Sequence, residues 1–92
     1  MNRKDKLTEV INACPIYGIT GGTRDVVPLV KDMLSAGIRI IQYREKGKTP
    51  ILRYQEAMIL RRLTYDYHAL LIIDDYVDLA LAVYADGVHI GQ

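Results

Sequence analysis

The stretch IIQYREKGK, Ile40 to Lys48, sets Gln42, Arg44 and Lys46 at every second position. In an extended chain that spacing puts all three side chains on one face, each about 6.6 Å from the next. Arg offers a planar fork of donors, Lys a mobile point charge, and Gln an amide able to recognise a neutral polar group. Such a trio suits a phosphate or pyrophosphate, above all in a cleft of low dielectric. The plain alternative is a strand end emerging into solvent with its cations hydrated. Further on, Asp74 and Asp75 stand side by side. Neighbours on a strand point to opposite sides, so they are not automatically a paired acid and base. One reading makes an aspartate the N-cap of a following helix. The other is a hard-metal site, because Mg²⁺ is held by one or two carboxylates together with waters and substrate phosphates. A cationic trio on one strand and an acidic pair on the next together suggest a metal–pyrophosphate ligand.

Weaker candidates surround these. GITGGT is neither a dinucleotide fingerprint nor a Walker loop and reads as a permissive turn, though its backbone amides are able to touch a phosphate. His89 has no neighbour at metal-ligand spacing and reads as a strand histidine satisfied by hydrogen bonding. Asp78 and Asp86 read as helix surface and turn.

The elements that must position these residues follow from periodicity. Leu7, Val10, Ile11 and Cys14 fall at helical spacing, with Pro15 ending the run. IYGIT reads as a strand feeding Gly21-Gly22. Val26, Leu29, Val30 and Met33 give a helical stripe that Gly37 stops. After the strand IRIIQYREK, Thr49-Pro50 predicts an N-cap with proline at the first helical position, and Ala57, Leu60, Leu63 and Tyr67 line that helix. ALLIIDD reads as a strand covered on both faces, Val77, Ala80, Leu81 and Tyr84 as a short helix, and GVHIGQ as a further strand.

The order is a helix followed by βαβαβαβ, which predicts an α/β protein with a parallel sheet in one domain, residues 1–92. The polar clusters gather where strands end, the place where ligands bind in such folds. A closed eight-stranded barrel needs at least about 200 residues. The pattern therefore leaves open a fragment of a barrel, two copies paired edge to edge, or a small open sheet.

Composition limits the function further. Half of the 92 residues are apolar, a quarter are charged and the net charge is +1, as in an ordinary globular protein. No basic stripe or interleaving of tyrosine with cations points to nucleic acid. The single cysteine, Cys14, excludes an internal disulfide and reads as a small apolar residue in a reducing compartment. The charged N-terminus and the lack of an apolar run near 18 residues predict a cytoplasmic chain without a membrane span.

QYREK at 42–46, LIIDDYVDLALAVYADGVHIGQ at 71–92 and YGIT at 17–20 resemble the thiamine phosphate synthase family in several separated motifs, in the correct order. The likeness runs from about Ile16 to the end and implies the N-terminal half of a TIM-type (β/α)8 barrel, incomplete here. That family joins a phosphorylated hydroxyethylthiazole to an aminomethylpyrimidine diphosphate and releases pyrophosphate, with Mg²⁺ bound, in thiamine biosynthesis. The resemblance implies that Gln42, Arg44 and Lys46 contact the pyrimidine diphosphate and that Asp75 ligates Mg²⁺. It also implies ionisation at the pyrimidine methylene carbon followed by capture by the thiazole nitrogen, for which leaving-group charge must be stabilised.

Two departures from the family stand out. Asp74 replaces the usual asparagine, so a side chain that donates to the diphosphate becomes one that only accepts, or that shares the metal. The second metal-binding aspartate comes just after the segment matched by Gly91-Gln92, as do the loops for the thiazole phosphate. The expectation is a chain that holds half a substrate site and is feeble or inert alone. Rival readings are a non-catalytic phosphate-binding half-barrel that dimerises through its sheet edges, and a relative of the thiazole tautomerase. Arg44→Ala is expected to abolish diphosphate binding and Lys48→Ala to change it little.

Overall fold

The computed structural model describes residues 17–22 and 25–90. The helix expected over residues 7–14, Cys14 and Gly91-Gln92 lie outside the described residues. Strand β1 (Gly18–Ile19) leads to α1 (Val26–Ser35), β2 (Ile40–Tyr43), α2 (Pro50–Asp66), β3 (Leu70–Asp74), α3 (Val77–Ala82) and β4 (Gly87–His89). The strands form one parallel sheet in the order β1-β2-β3-β4. Each crossover advances by a single strand in one direction, without the reversal that marks a doubly wound sheet. Repeated crossovers of one hand then keep every helix on the same face.

The register shows what each face carries. Parallel partners share a face, so Gln42 aligns with Ile19 and Ile72, while Asp74 aligns with His89. These residues look away from the helices. Ile41, Tyr43, Leu71 and Ile73 look toward them and form the core with Val30, Leu34, Ala57, Leu60, Ala80 and Val83. The expected stripes need adjustment. In α1 the buried residues are Val26, Val30 and Leu34. In α3, Leu79 and Ala80 are buried, whereas Val77, Leu81 and Tyr84 are 46%, 74% and 77% exposed. VDLALA is apolar on most sides, so its period alone did not select the inward face.

Helix ends follow local chemistry. Thr49 Oγ1 caps α2 by accepting from Leu52 N, with Pro50 in the first turn. At the end of α1, Gly37 takes φ 99°, with Gly37 N donating to Leu34 O and Ile38 N to Met33 O, the Schellman arrangement. The same bonds close α2 and α3, but there the left-handed position is held by His68 (φ 57°) and Tyr84 (φ 55°). At the amino ends of the strands, Asp86 Oδ2 accepts from Leu71 N and from Arg61, while Asp86 N donates to Leu71 O. Asp86 is thus a buried brace, its side chain 8% exposed, rather than turn surface.

Candidate functional site

At the opposite ends of the strands the chain gathers its charges. The second strand stops at Tyr43, so the alternation expected through Lys46 holds only from Gln42 to Arg44. Lys46 comes to the cluster through a turn instead. The turn is seated on β1: Thr20 N donates to Gln42 O, and the buried Thr20 hydroxyl accepts from Arg44 N at 2.8 Å. Gly21 passes directly below, at φ 120°. A Cβ there would lie 2.9 Å from the Arg44 carbonyl oxygen, so only glycine fits. Together Thr20–Gly22 and Arg44–Lys48 enclose an open cleft of about 540 Å³.

Asp74 is the hub. Its side chain is 5% exposed, and Oδ1 accepts from Gln42 Nε2 at 2.9 Å. His89 Nδ1 lies 2.9 Å from the same oxygen. Oδ2 faces Arg44 Nε at 3.7 Å and Lys46 Nζ at 3.9 Å. Lys46 also pairs with Asp75 Oδ2 at 2.7 Å. That hydrogen bond, and then the charge of Asp75, raise the Lys46 pKa above its ordinary value.

Both aspartates reach one lysine because the strand does not continue. Asp75 takes φ 66°, a left-handed conformation that aspartate tolerates better than most residues, and its N–H donates to His89 O at 2.7 Å. The kink swings the second carboxylate toward the side of the first. The helix-capping alternative does not hold, since α3 opens at Tyr76 rather than at either aspartate. Gln42, Arg44, Lys46, Asp74 and Asp75 are therefore brought together at the carboxyl ends of neighbouring strands. Among the described residues no group of three or more His, Cys, Asp and Glu side chains gathers as a metal cage.

Sequence reasoning missed the support beneath this cluster. Glu45 points the other way from Arg44 and Lys46 and is buried. Lys48 bridges it to Glu56, at 3.1 Å and 2.8 Å, and the buried Tyr43 hydroxyl donates to Glu56 Oε1. Burial first, then the bond to Glu56, push the Tyr43 pKa well above its usual range. Arg53 stacks on Tyr76 at 4.1 Å and donates to the Lys48 carbonyl. No spacing rule reveals it, because the strand has already ended at Tyr43; the inward turn of Glu45 is held by Lys48, which comes from the following turn. His89 is hydrogen-bonded as expected, yet it lies inside the cluster.

The unreversed parallel sheet, its helices on one face and its polar loops at the carboxyl ends define a β/α-barrel type of protein. Residues 13–92 match the family model described as thiamine monophosphate synthase, and the chain belongs to that family. It is 56% identical over 79 residues to a thiamine-phosphate synthase of Dictyoglomus thermophilum, covering 86% of this chain and 34% of the relative. Against a thiamine-phosphate synthase of Caldicellulosiruptor bescii it is 46% identical over 96 aligned positions, covering 100% of this chain and 43% of the relative. A solved thiamine phosphate pyrophosphorylase from Pyrococcus furiosus superposes with a TM-score of 0.76 at 42% identity, over 78% of this chain and 36% of that one. The chain thus spans less than half the length of these relatives.

Proposed function

We propose that this chain forms the diphosphate-binding part of a thiamine phosphate synthase site, acting in a transferase that joins a thiazole phosphate to an aminopyrimidine diphosphate and releases pyrophosphate. The carrying observation is the convergence of Gln42, Arg44 and Lys46 with Asp74 and Asp75 at adjacent strand ends. Arg44 and Lys46, with side chains 55% and 53% exposed, are open to an incoming anion. Their donors stabilise negative charge as the carbon–oxygen bond to the diphosphate breaks. Asp74, flanked by both, holds them in place through weak pairing that a diphosphate can outcompete.

The residues fit Mg²⁺ in the manner usual for that ion. Asp75 offers one hard carboxylate whose side chain is 28% exposed, and waters with phosphate oxygens would complete the shell. When bound, the ion neutralises charge on the leaving pyrophosphate. Lys46 would then turn from Asp75 to the phosphate.

Calorimetry of the 92-residue chain with the aminopyrimidine diphosphate tests the reading. Binding is expected, strengthened by Mg²⁺, with that strengthening lost in Asp75→Asn. No binding in either condition sinks it. Mixed with both substrates and Mg²⁺, the polypeptide alone is expected to turn over feebly, and brisk synthesis by a monomer overturns that part. A second reading, a phosphate-binding half-barrel that pairs with another copy, is favoured by the exposure of Ile19, Val88 and Ile90 (47%, 39% and 60%) on and beside the edge strands. A tight symmetric dimer on sedimentation supports it.

A further inference from the structure

Helix α2 carries its larger apolar side chains on the outside. The residues it buries are Ala57, Leu60 and Thr64, while Ile51, Tyr54, Met58 and Tyr65 are 70%, 44%, 43% and 66% exposed. The helix packs against α1, β3 and α3, and this outer flank is what those neighbours leave uncovered. With about 100° between successive residues, the four and Arg62 fall within an arc of about 80°, one stripe along the helix. The stripe is symmetric about its middle. Tyr54 and Arg62 lie four residues either side of Met58, and Ile51 and Tyr65 lie seven either side.

Such a stripe is complementary to itself. When two copies of α2 lie antiparallel about a twofold axis through Met58, each residue before Met58 meets the one equally far beyond it on the partner. Met58 meets its own counterpart, Ile51 packs on the partner's Tyr65, and Tyr54 faces the partner's Arg62. The first two contacts are apolar, and the third sets a guanidinium over a tyrosine ring. A parallel pair would instead set Arg62 against the partner's Arg62. Asp66 Oδ2, 3.3 Å from Arg62 Nε on the next turn, steadies that side chain while leaving it 80% exposed.

We infer that this face of α2 binds a second copy of the chain, as an isologous pair of antiparallel helices centred on Met58. At about 200 Å² for a fully exposed side chain, the five present roughly 600 Å² per copy. Two such faces bury about 1,200 Å², the lower end of stable interfaces, so the pair is reversible, dissociating at roughly tens of micromolar. The surface lies apart from the strand ends and from the edge strands. The inference therefore does not rest on the diphosphate reading, and it differs from pairing through β1 and β4.

Sedimentation of the full chain across about 1–200 μM tests it, with substitutions assigning the surface. Met58→Lys should raise the dissociation constant about tenfold or more with an unchanged circular dichroism spectrum, whereas Val88→Lys on the edge strand should leave pairing intact. Arg62→Glu should weaken pairing, and Tyr54→Lys added to it should restore it, because positions 54 and 62 face each other only across the antiparallel pair. A chain that stays monomeric throughout overturns the inference, as does a dimer that survives Met58→Lys or is broken by Val88→Lys. Cross-linking decides the matter even if Met58→Lys does not fold. In a Cys14→Ala background oxidised with diamide, Met58→Cys should join two copies, while Ile59→Cys, at a position 47% exposed but turned away from the stripe, should not. Equal yields at the two positions overturn the inference.

Discussion

Replacing Lys48 with methionine tests how the turn that presents Arg44 and Lys46 is held. The ammonium sits between Glu45 Oε1 and Glu56 Oε2, at 3.1 Å and 2.8 Å, with side chains 25%, 5% and 16% exposed. Methionine keeps most of the stem and removes the charge, which leaves two facing carboxylates without a cation. Breaking a fully buried pair costs about 3–5 kcal/mol, and an exposed one about 0–1 kcal/mol. A lysine one-quarter exposed falls between, so the expected loss is about 2 kcal/mol. For a domain of this size each kcal/mol moves Tm by about 4–8 °C, so melting followed by circular dichroism should fall by roughly 8–16 °C. Adding Glu45→Gln removes the repulsion and should restore about half of the loss. Affinity of the folded variant for pyrophosphate should fall far less than in Arg44→Ala, because the Lys48 ammonium is already engaged by Glu45 and Glu56. A loss below about 0.5 kcal/mol, the range of surface pairs, refutes the argument that this bridge pins the turn. The pH dependence has a definite sign. Partial burial pulls the Lys48 pKa down, but the hydrogen bonds it donates to Glu56 and Glu45 outweigh it and raise it above 10.5. Its contribution is therefore complete below that value and fades as pH rises through the raised one.

Arg44→Ala should weaken pyrophosphate binding by roughly 1.5–3 kcal/mol, and Arg44→Lys should recover only part of this because the planar fork is lost; calorimetry reads both. His68→Gly relieves a left-handed side chain and should raise stability in urea by about 1 kcal/mol, despite the added freedom of the unfolded chain. Burial and the bond to Glu56 keep Tyr43 protonated in the folded state, so an ultraviolet alkaline titration should show one tyrosine that ionises only on unfolding. Because only the unfolded chain ionises that group near its ordinary pKa of 10.0, stability should drop as pH rises past it.

Much of the fold was legible because its determinants are local. Thr49-Pro50 and Gly37 mark helix boundaries by backbone chemistry alone, and the apolar run through Leu70–Ile73 reads directly as a covered strand. The site was legible in part. Gln42, Arg44, Lys46 and the two aspartates were named from type and spacing, and the fold brings them together. What escaped needed partners distant in sequence. Lys46 arrives by a turn, and Asp75 by a left-handed kink that no alternation rule contains. Glu45 and Lys48 look like more surface charge until Glu56, 8 residues beyond Lys48, closes around them together with the preceding Tyr43. Asp86 looks like a turn residue until Arg61, 25 residues earlier, reaches it. Residue type alone misplaces charges whose burial is set by a neighbouring element.

The Asp86–Arg61 brace lies at the rim opposite the cationic cluster, and this separation has an evolutionary consequence. Cohesion is anchored at one pole of the sheet, and the proposed diphosphate site lies at the other. Substitutions that retune which molecule is recognised need not loosen the anchor, so the recognition pole is free to drift while the scaffold persists. Damage at Asp86 should instead fell the whole structure without ever touching a ligand.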